Sequence, residues 1–258
     1  MAGVKTETFG PGALSTTPAN EWSFAFTPDE KTIYIQKGGM EQYGIYVSSL
    51  REGQWSEPVL SSFSPDALAQ DGDPFITPDG QSFFFATNRA PGGGVQNNND
   101  LWVAKKTAAG WGPARPLGPE INSVHQEWLP SVAANGNLYF ESDRPGGIGA
   151  TSLYVSQCVD GRYQTPRLLE VFAKGGEESP YIAPDESFLI FSRAGDLWIS
   201  YRQNDRWTPE EKIPLEDKGS LKYSPWVSAD RKFLFYTSNA TGNADIYRVP
   251  IGPLKLKI

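Results

Sequence analysis

The chain has one cysteine, Cys158, and one histidine, His125, among 258 residues. A single thiol cannot close an internal disulfide, so the redox compartment stays open, and Cys158 reads as a small strand residue. With one cysteine and one histidine no zinc-spaced set of ligands can be drawn. No GxSxG turn and no Ser, His, Asp order is visible either. Cations are outnumbered: 23 Lys and Arg against 30 Asp and Glu give a net charge of −7, and the basic residues are scattered. That excludes a phosphate backbone as partner, so no nucleic acid is expected. No apolar run approaches the roughly 18 residues that a membrane helix needs, so a soluble chain without a membrane span is expected. Met1-Ala2-Gly3 opens no basic start and apolar core of a signal peptide. The expectation is a cytoplasmic protein, or a periplasmic or extracellular one whose signal has been removed.

What the chain does have is turns and rings: Gly 26, Pro 21 and 13% aromatic residues. They fall into a pattern repeated five times. A short apolar strand meets a turn, written TPDE at Thr27 to Glu30, TPDG at Thr77 to Gly80, AANG at Ala133 to Gly136, APDE at Ala183 to Glu186 and SADR at Ser228 to Arg231. The second residues of these turns stand 50, 56, 50 and 45 apart. After each turn comes a buried strand such as FFFAT or LYFES, then a third strand: GIYVS, DLWVA, SLYVS, DLWIS or DIYRV. Trp55, Trp111, Tyr163 and Trp207, each with Pro two or three residues on, mark a fourth strand, placed outermost because Pro lacks an amide donor.

A repeat near fifty residues with four strands per unit predicts an all-β, five-bladed β-propeller of four-stranded antiparallel blades. The blades run at about 20–60, 70–118, 125–170, 177–215 and 221–250 of a single domain spanning 1–258. The fifth unit lacks a fourth strand. Phe9-Gly10-Pro11 repeats the aromatic-x-Pro signature, so residues 4–14 are expected to join the last blade and close the ring. Deleting residues 1 to 12 should then cause aggregation or a large loss of thermal stability. A monomer is expected.

Seven residues before the second residue of each turn, the five units carry Glu21, Asp71, Glu127, Glu177 and Lys222. The next position holds Trp22, Gly72, Trp128, Glu178 and Tyr223, and the one after it Ser23, Asp73, Leu129, Ser179 and Ser224. Inner strands surround the central channel, so these side chains are expected to ring one of its mouths with acids and aromatics. Two readings stand side by side. In the structural one, each acid bonds a neighbouring backbone or pairs with a repeated Arg such as Arg89 or Arg144. In the functional one, like charges converging on a channel raise one another's pKa unless a ligand or metal neutralises them. Ca²⁺ can take oxygens from Asp71, Asp73, Glu127 and Glu177. An organic cation can use the acids with the faces of Trp22, Trp128 and Tyr223, and a sugar can stack on the same rings. Glu127 and Glu177, on adjacent blades and near His125, also form a candidate acid and base pair for glycan cleavage.

The stretches TPDGQSFFFATNRAPGGG followed by DLWV, and WGPARPLGPEINSVHQEWLP followed by LYFESDRPGG, resemble the WD-like propeller repeats named for their Pro-Asp dipeptide. Such repeats are found in the propeller of TolB and in bacterial envelope proteins. The resemblance covers about residues 20 to 250 and is carried best by Trp111 to Gly147. It implies a propeller that is usually exported and acts by binding proteins or glycans. The chain departs from the pattern at AANG, at SADR and in the stretch Ala90 to Asn99, a long loop expected to overhang one face. Two functions therefore stay open: a binding module for a small-molecule or glycan ligand or a protein, and a stand-alone glycan hydrolase or lyase.

Overall fold

The structure, a computed structural model, describes residues 4–16, 19–39, 41–65, 68–172, 174–216 and 220–258; Met1-Ala2-Gly3 lie outside them. Five antiparallel sheets stand round an axis as a five-bladed propeller. The inner strands are Asn20–Phe26, Asp71–Ile76, Glu127–Val132, Glu177–Ile182 and Lys222–Val227. The core is divided into five apolar wedges, one between each pair of adjacent blades.

The turn chemistry follows from the repeat. Asp29 and Asp79 each accept the hydroxyl of the Thr two residues earlier and the amide two residues later, an Asx arrangement. The last turn residue is left-handed in every blade: φ is 55° at Glu30, 69° at Gly80, 90° at Gly136, 55° at Glu186 and 56° at Arg231. In AANG, Asn135 replaces the Asp and accepts from the amide of Asn137, in a turn one residue shorter than that of the second blade.

The ring closes as expected. Glu7–Thr8 pairs with the last strand, Glu7 opposite Arg248 and Thr8 opposite Tyr247. The register differs from the reading that predicted it. Trp55, Trp111, Tyr163 and Trp207 lie at the tips of hairpins, and the outermost strands follow the prolines as Val59–Leu60, Arg115–Pro116, Arg167–Leu168 and Glu211–Lys212. The prolines fall between the two pieces, where no ladder amide is needed. Phe9 therefore matches Leu117, Leu169 and Ile213: each donates its amide to the carbonyl of the third strand's first apolar residue. It is partly buried and packs against the core, edge-on to Phe26, Trp55 and Phe235 at 5.9, 6.0 and 5.0 Å.

The stretch Ala90 to Asn99 is not an overhanging loop. Its second half begins the long strand Val95–Thr107. The Asn98 amide donates to the carbonyls of Ser123 and His125, and the Asn99 amide to Gln126, fastening this hairpin to the segment that enters the third blade.

Candidate ligand site at the channel mouth

The carboxylate column does not ring the channel. Glu21, Asp71 and Glu127 are 0% exposed and Glu177 1%. Each is held against a cation of its own blade: Glu21 to Lys37 at 3.2 Å, Asp71 to Arg89 at 3.0 Å, Glu127 to Arg144 at 2.9 Å and Glu177 to Arg193 at 3.8 Å. The connecting segments complete the shells, with amides of Thr16, Ser123, Lys174 and Gly175 donating to Glu21, Glu127 and Glu177. Lys222, in the fifth blade, reverses the polarity: it is buried and faces Asp196 at 3.6 Å. A desolvated carboxylate needs a partner at hand, and one position per blade supplies it.

The expected grouping for Ca²⁺ fails on the same ground. Asp71 faces Arg89 while Asp73 points to the amide of Leu129. Among the described residues no three His, Cys, Asp or Glu come together to hold a metal ion. His125 is on the segment entering the third blade, its Nδ1 3.8 Å from Asp143, and Glu127 beside it is closed off by Arg144. Glu127 and Glu177 are thus not presented to any substrate.

The reason is a bulge one residue further on. In every inner strand the register slips, between Glu21 and Ser23, Gly72 and Phe75, Trp128 and Ser131, Glu178 and Tyr181, and Tyr223 and Trp226. Asp73, Leu129, Ser179 and Ser224 take left-handed backbone there, φ 49° to 53°. These residues, with Ser23, line the channel as a narrow cup with about 30 Å³ of free volume, room for about two waters.

At three of the five bulges the preceding blade supplies an acceptor for the amide that the ladder leaves out. Gln36 Oε1 accepts from Asp73 N at 3.0 Å and from the Ser23 hydroxyl at 2.8 Å. Asp73 Oδ2 accepts from Leu129 N at 3.3 Å, and Glu141 Oε2 from Ser179 N at 3.2 Å. Gly72 is required by this packing, since a Cβ there would stand 2.5 Å from Gln36 Oε1.

This second ring is where the acids at the mouth lie. Glu141 is buried; desolvation, reinforced by Glu178 and Asp73, holds its carboxyl well above the usual range. Desolvation pushes Asp73 up to about 6 and also raises Glu178, which is exposed. Among the described residues none of the three has a cationic partner. Trp22 and Tyr223 stack on one another, centroids 6.0 Å apart at 24°, and Trp128 packs against the wedge between the second and third blades. Of the residues expected at the mouth, Asp73 lines the channel, and Asp73 and Glu178 both raise the Glu141 carboxyl. Gln36 and Glu141 were missed. The signal for Glu141 was available: its column reads Gln36, Ala86, Glu141, Ser192, Thr237, a lone acid among uncharged residues.

A pH dependence follows. Glu21, raised to about 7 by desolvation, Asp73 at about 6, and Glu141 hold protons in the folded state that the unfolded chain releases above pH 4 to 5. The folded state then binds more protons, so stability falls as pH rises through this window. The wild type should melt at a higher temperature at pH 5 than at pH 8. Glu141→Gln keeps an acceptor for Ser179 and removes the charge, so it should melt above wild type at pH 8, with the gap closing at pH 5. Calorimetry at the two pH values checks this, and a variant equal to or below wild type at pH 8 contradicts it.

No family model and no curated protein matches the sequence. Solved structures do match in fold. TolB from Acinetobacter baumannii aligns over 90% of this chain with TM-score 0.54 and 16% identity; the chain spans about half of it, 54%. A TolB candidate from Agrobacterium tumefaciens gives 0.55 and 19% identity, covering 86% of this chain and 71% of that one. A thermostable family-43 glycoside hydrolase gives 0.60 and 14% identity, covering 94% and 91%. Among the described residues no helix is long and apolar enough to cross a membrane. The chain shares the propeller fold of TolB and of carbohydrate-active enzymes.

Proposed function

We propose that the protein is a binding module of the bacterial envelope whose channel mouth takes a cationic group, an amine or guanidinium on a small molecule or on a protein partner. Asp73 and Glu178 supply the negative field, Glu141 joins them by giving up its proton as the cation binds, and the faces of Trp22 and Tyr223 supply cation–π contact. One observation carries the reading: a buried carboxylate, Glu141, is crowded by two further acids with no cation beside them among the described residues. Every acid of the neighbouring column is matched by Lys37, Arg89, Arg144 or Arg193, so the unmatched set stands out within the same molecule. A neutral sugar can stack on the same rings but leaves that charge uncompensated.

Catalysis is the second reading, favoured by the unlike settings of Glu141, buried, and Glu178, exposed, which suit an acid and a base. A thermal-shift screen at constant ionic strength with arginine methyl ester, tetramethylammonium, CaCl₂ and cellobiose separates the cases. Stabilisation of wild type by several degrees with the organic cations, absent in Glu178→Gln, is expected. Stabilisation by cellobiose alone, or by nothing, contradicts the reading. Turnover of a glycan that is lost in Glu178→Gln would give the site to an enzyme.

A further inference from the structure

On the face opposite the mouth, a groove of about 840 Å³ opens between the second and third blades. We propose that it binds a small molecule with an apolar or aromatic body and an anionic head, a carboxylate, sulfonate or phosphate. This site is separate from the channel mouth.

The argument comes from comparing this interface with the next one. Between the third and fourth blades, the left-handed turn residue Glu186 reaches across into the gap, which is narrower, about 440 Å³. Its carboxylate is held by Asn135 at 3.0 Å, Asn137 at 2.9 Å and Tyr139 at 2.7 Å, and paired with Arg202 at 3.0 Å. Desolvation opposes its charge, yet these donors hold its carboxyl below the ordinary value. The fold thus has a carboxylate position built into a gap between blades.

Between the second and third blades that plug is missing. The equivalent turn residue is Gly136, the position matching Arg202 is Cys158, and the position matching Tyr139 is Phe84. The gap is left open over an apolar floor of Phe84, Val103 and Val132, with Tyr163 as an aromatic wall. Its rim carries Lys105, Arg115 and Arg162. Lys105 donates to Ser82 at 2.7 Å, while Arg115 and Arg162 have no ion pair among the described residues. Two acids stand against these three cations: Asp79, turned into its own turn by Thr77 and Gln81 and in the field of Lys105, and Glu120, so the rim keeps a cationic excess carried by Arg115 and Arg162. A cationic rim on a chain of net charge −7, above an apolar floor, fits an amphipathic anion.

Cys158 lines the same groove and is the chain's single cysteine, so it reports on this place alone. The probe is 8-anilinonaphthalene-1-sulfonate, followed by fluorescence, with Nile red as an uncharged control. Saturating probe should slow iodoacetamide alkylation of Cys158 at least threefold. The exposed double variant Arg115→Gln/Arg162→Gln should raise the dissociation constant about tenfold or more, leaving Nile red binding and the melting curve unchanged. Probe binding without protection of Cys158, or an affinity unmoved in the double variant, overturns the proposal.

Discussion

A chain lacking residues 1 to 12 is expected to melt at least about 10–20 °C below wild type, or to aggregate on expression. The deletion removes Glu7–Thr8 from the fifth sheet and exposes the edge of the strand Asp245–Pro250. Unpaired edges of this kind template association with other chains. It also removes Phe9, which touches Phe26, Trp55 and Phe235 and so bridges the first and fifth blades. Leu14, fully buried in the same wedge, loses its anchor, since its amide donates to the carbonyl of Gly10. Removing a fully buried Phe costs about 3–5 kcal/mol, so the partly buried Phe9 lies at or below the low end, and the loosened Leu14 and the lost strand pairing add to it. At about 2–4 °C per kcal/mol for a chain of this size, a combined loss of about 5 kcal/mol gives the stated range. Phe9→Ala isolates the packing contribution and should lower the melting temperature while leaving the protein monomeric. A deletion variant with wild-type melting would mean that the ring is not closed by this strand.

Arg144→Ala is expected to destabilise the protein by about 3–5 kcal/mol, the cost of leaving a buried charge without its partner. Arg144 donates to Glu127 at 2.9 Å, to the carbonyl of Ile121 at 2.6 Å and to Ser142 at 3.1 Å. Its guanidinium lies over Phe140 and Tyr154 at 5.0 and 5.2 Å. Burial already raises the Glu127 carboxyl despite Ser123 and Arg144. Without Arg144 it rises further, and a carboxyl raised in the folded state loses stability as pH rises. The deficit of Arg144→Ala should therefore be larger at pH 8 than at pH 5, and Glu127→Gln in the same chain should recover part of it. An equal deficit at both pH values, with no recovery, would show that Glu127 is not the group being compensated. The same substitution should leave binding at the channel mouth intact in whatever fraction stays folded, because Arg144 touches none of the mouth residues.

Most of the fold was legible because its determinants are local. The Asp or, in one blade, Asn of each turn, the left-handed residue after it and the run of aromatic and branched residues are fixed within a few positions, and five copies repeat them. The outer strands were legible only as to existence. Trp55 and Pro58 mark a hairpin tip and a break, and the pairing of Val59–Leu60 beyond them depends on tertiary contacts that no local pattern carries. The site was half legible. Counting back from the turn found the right stretch of chain, but the bulge at Asp73, Leu129, Ser179 and Ser224 exchanges which residue faces a neighbour and which faces the channel. Asp71 and Asp73 read alike in sequence; one is matched by Arg89 and the other opens on the cup. Glu141, on the second strand of its blade, joins them only through the ring's curvature.

The claim that the mouth is a cation site rests on Asp73, Glu141 and Glu178 acting together, and calorimetric titration with arginine methyl ester tests it most directly. Wild type should bind with one site, and Glu178→Gln and Glu141→Gln should each weaken binding about tenfold or more. Trp22→Ala should weaken it by a smaller factor, consistent with about 0.5–2 kcal/mol for a cation on an aromatic face. Binding that survives in both acid variants, or wild-type protein that takes up no cation, would contradict the account.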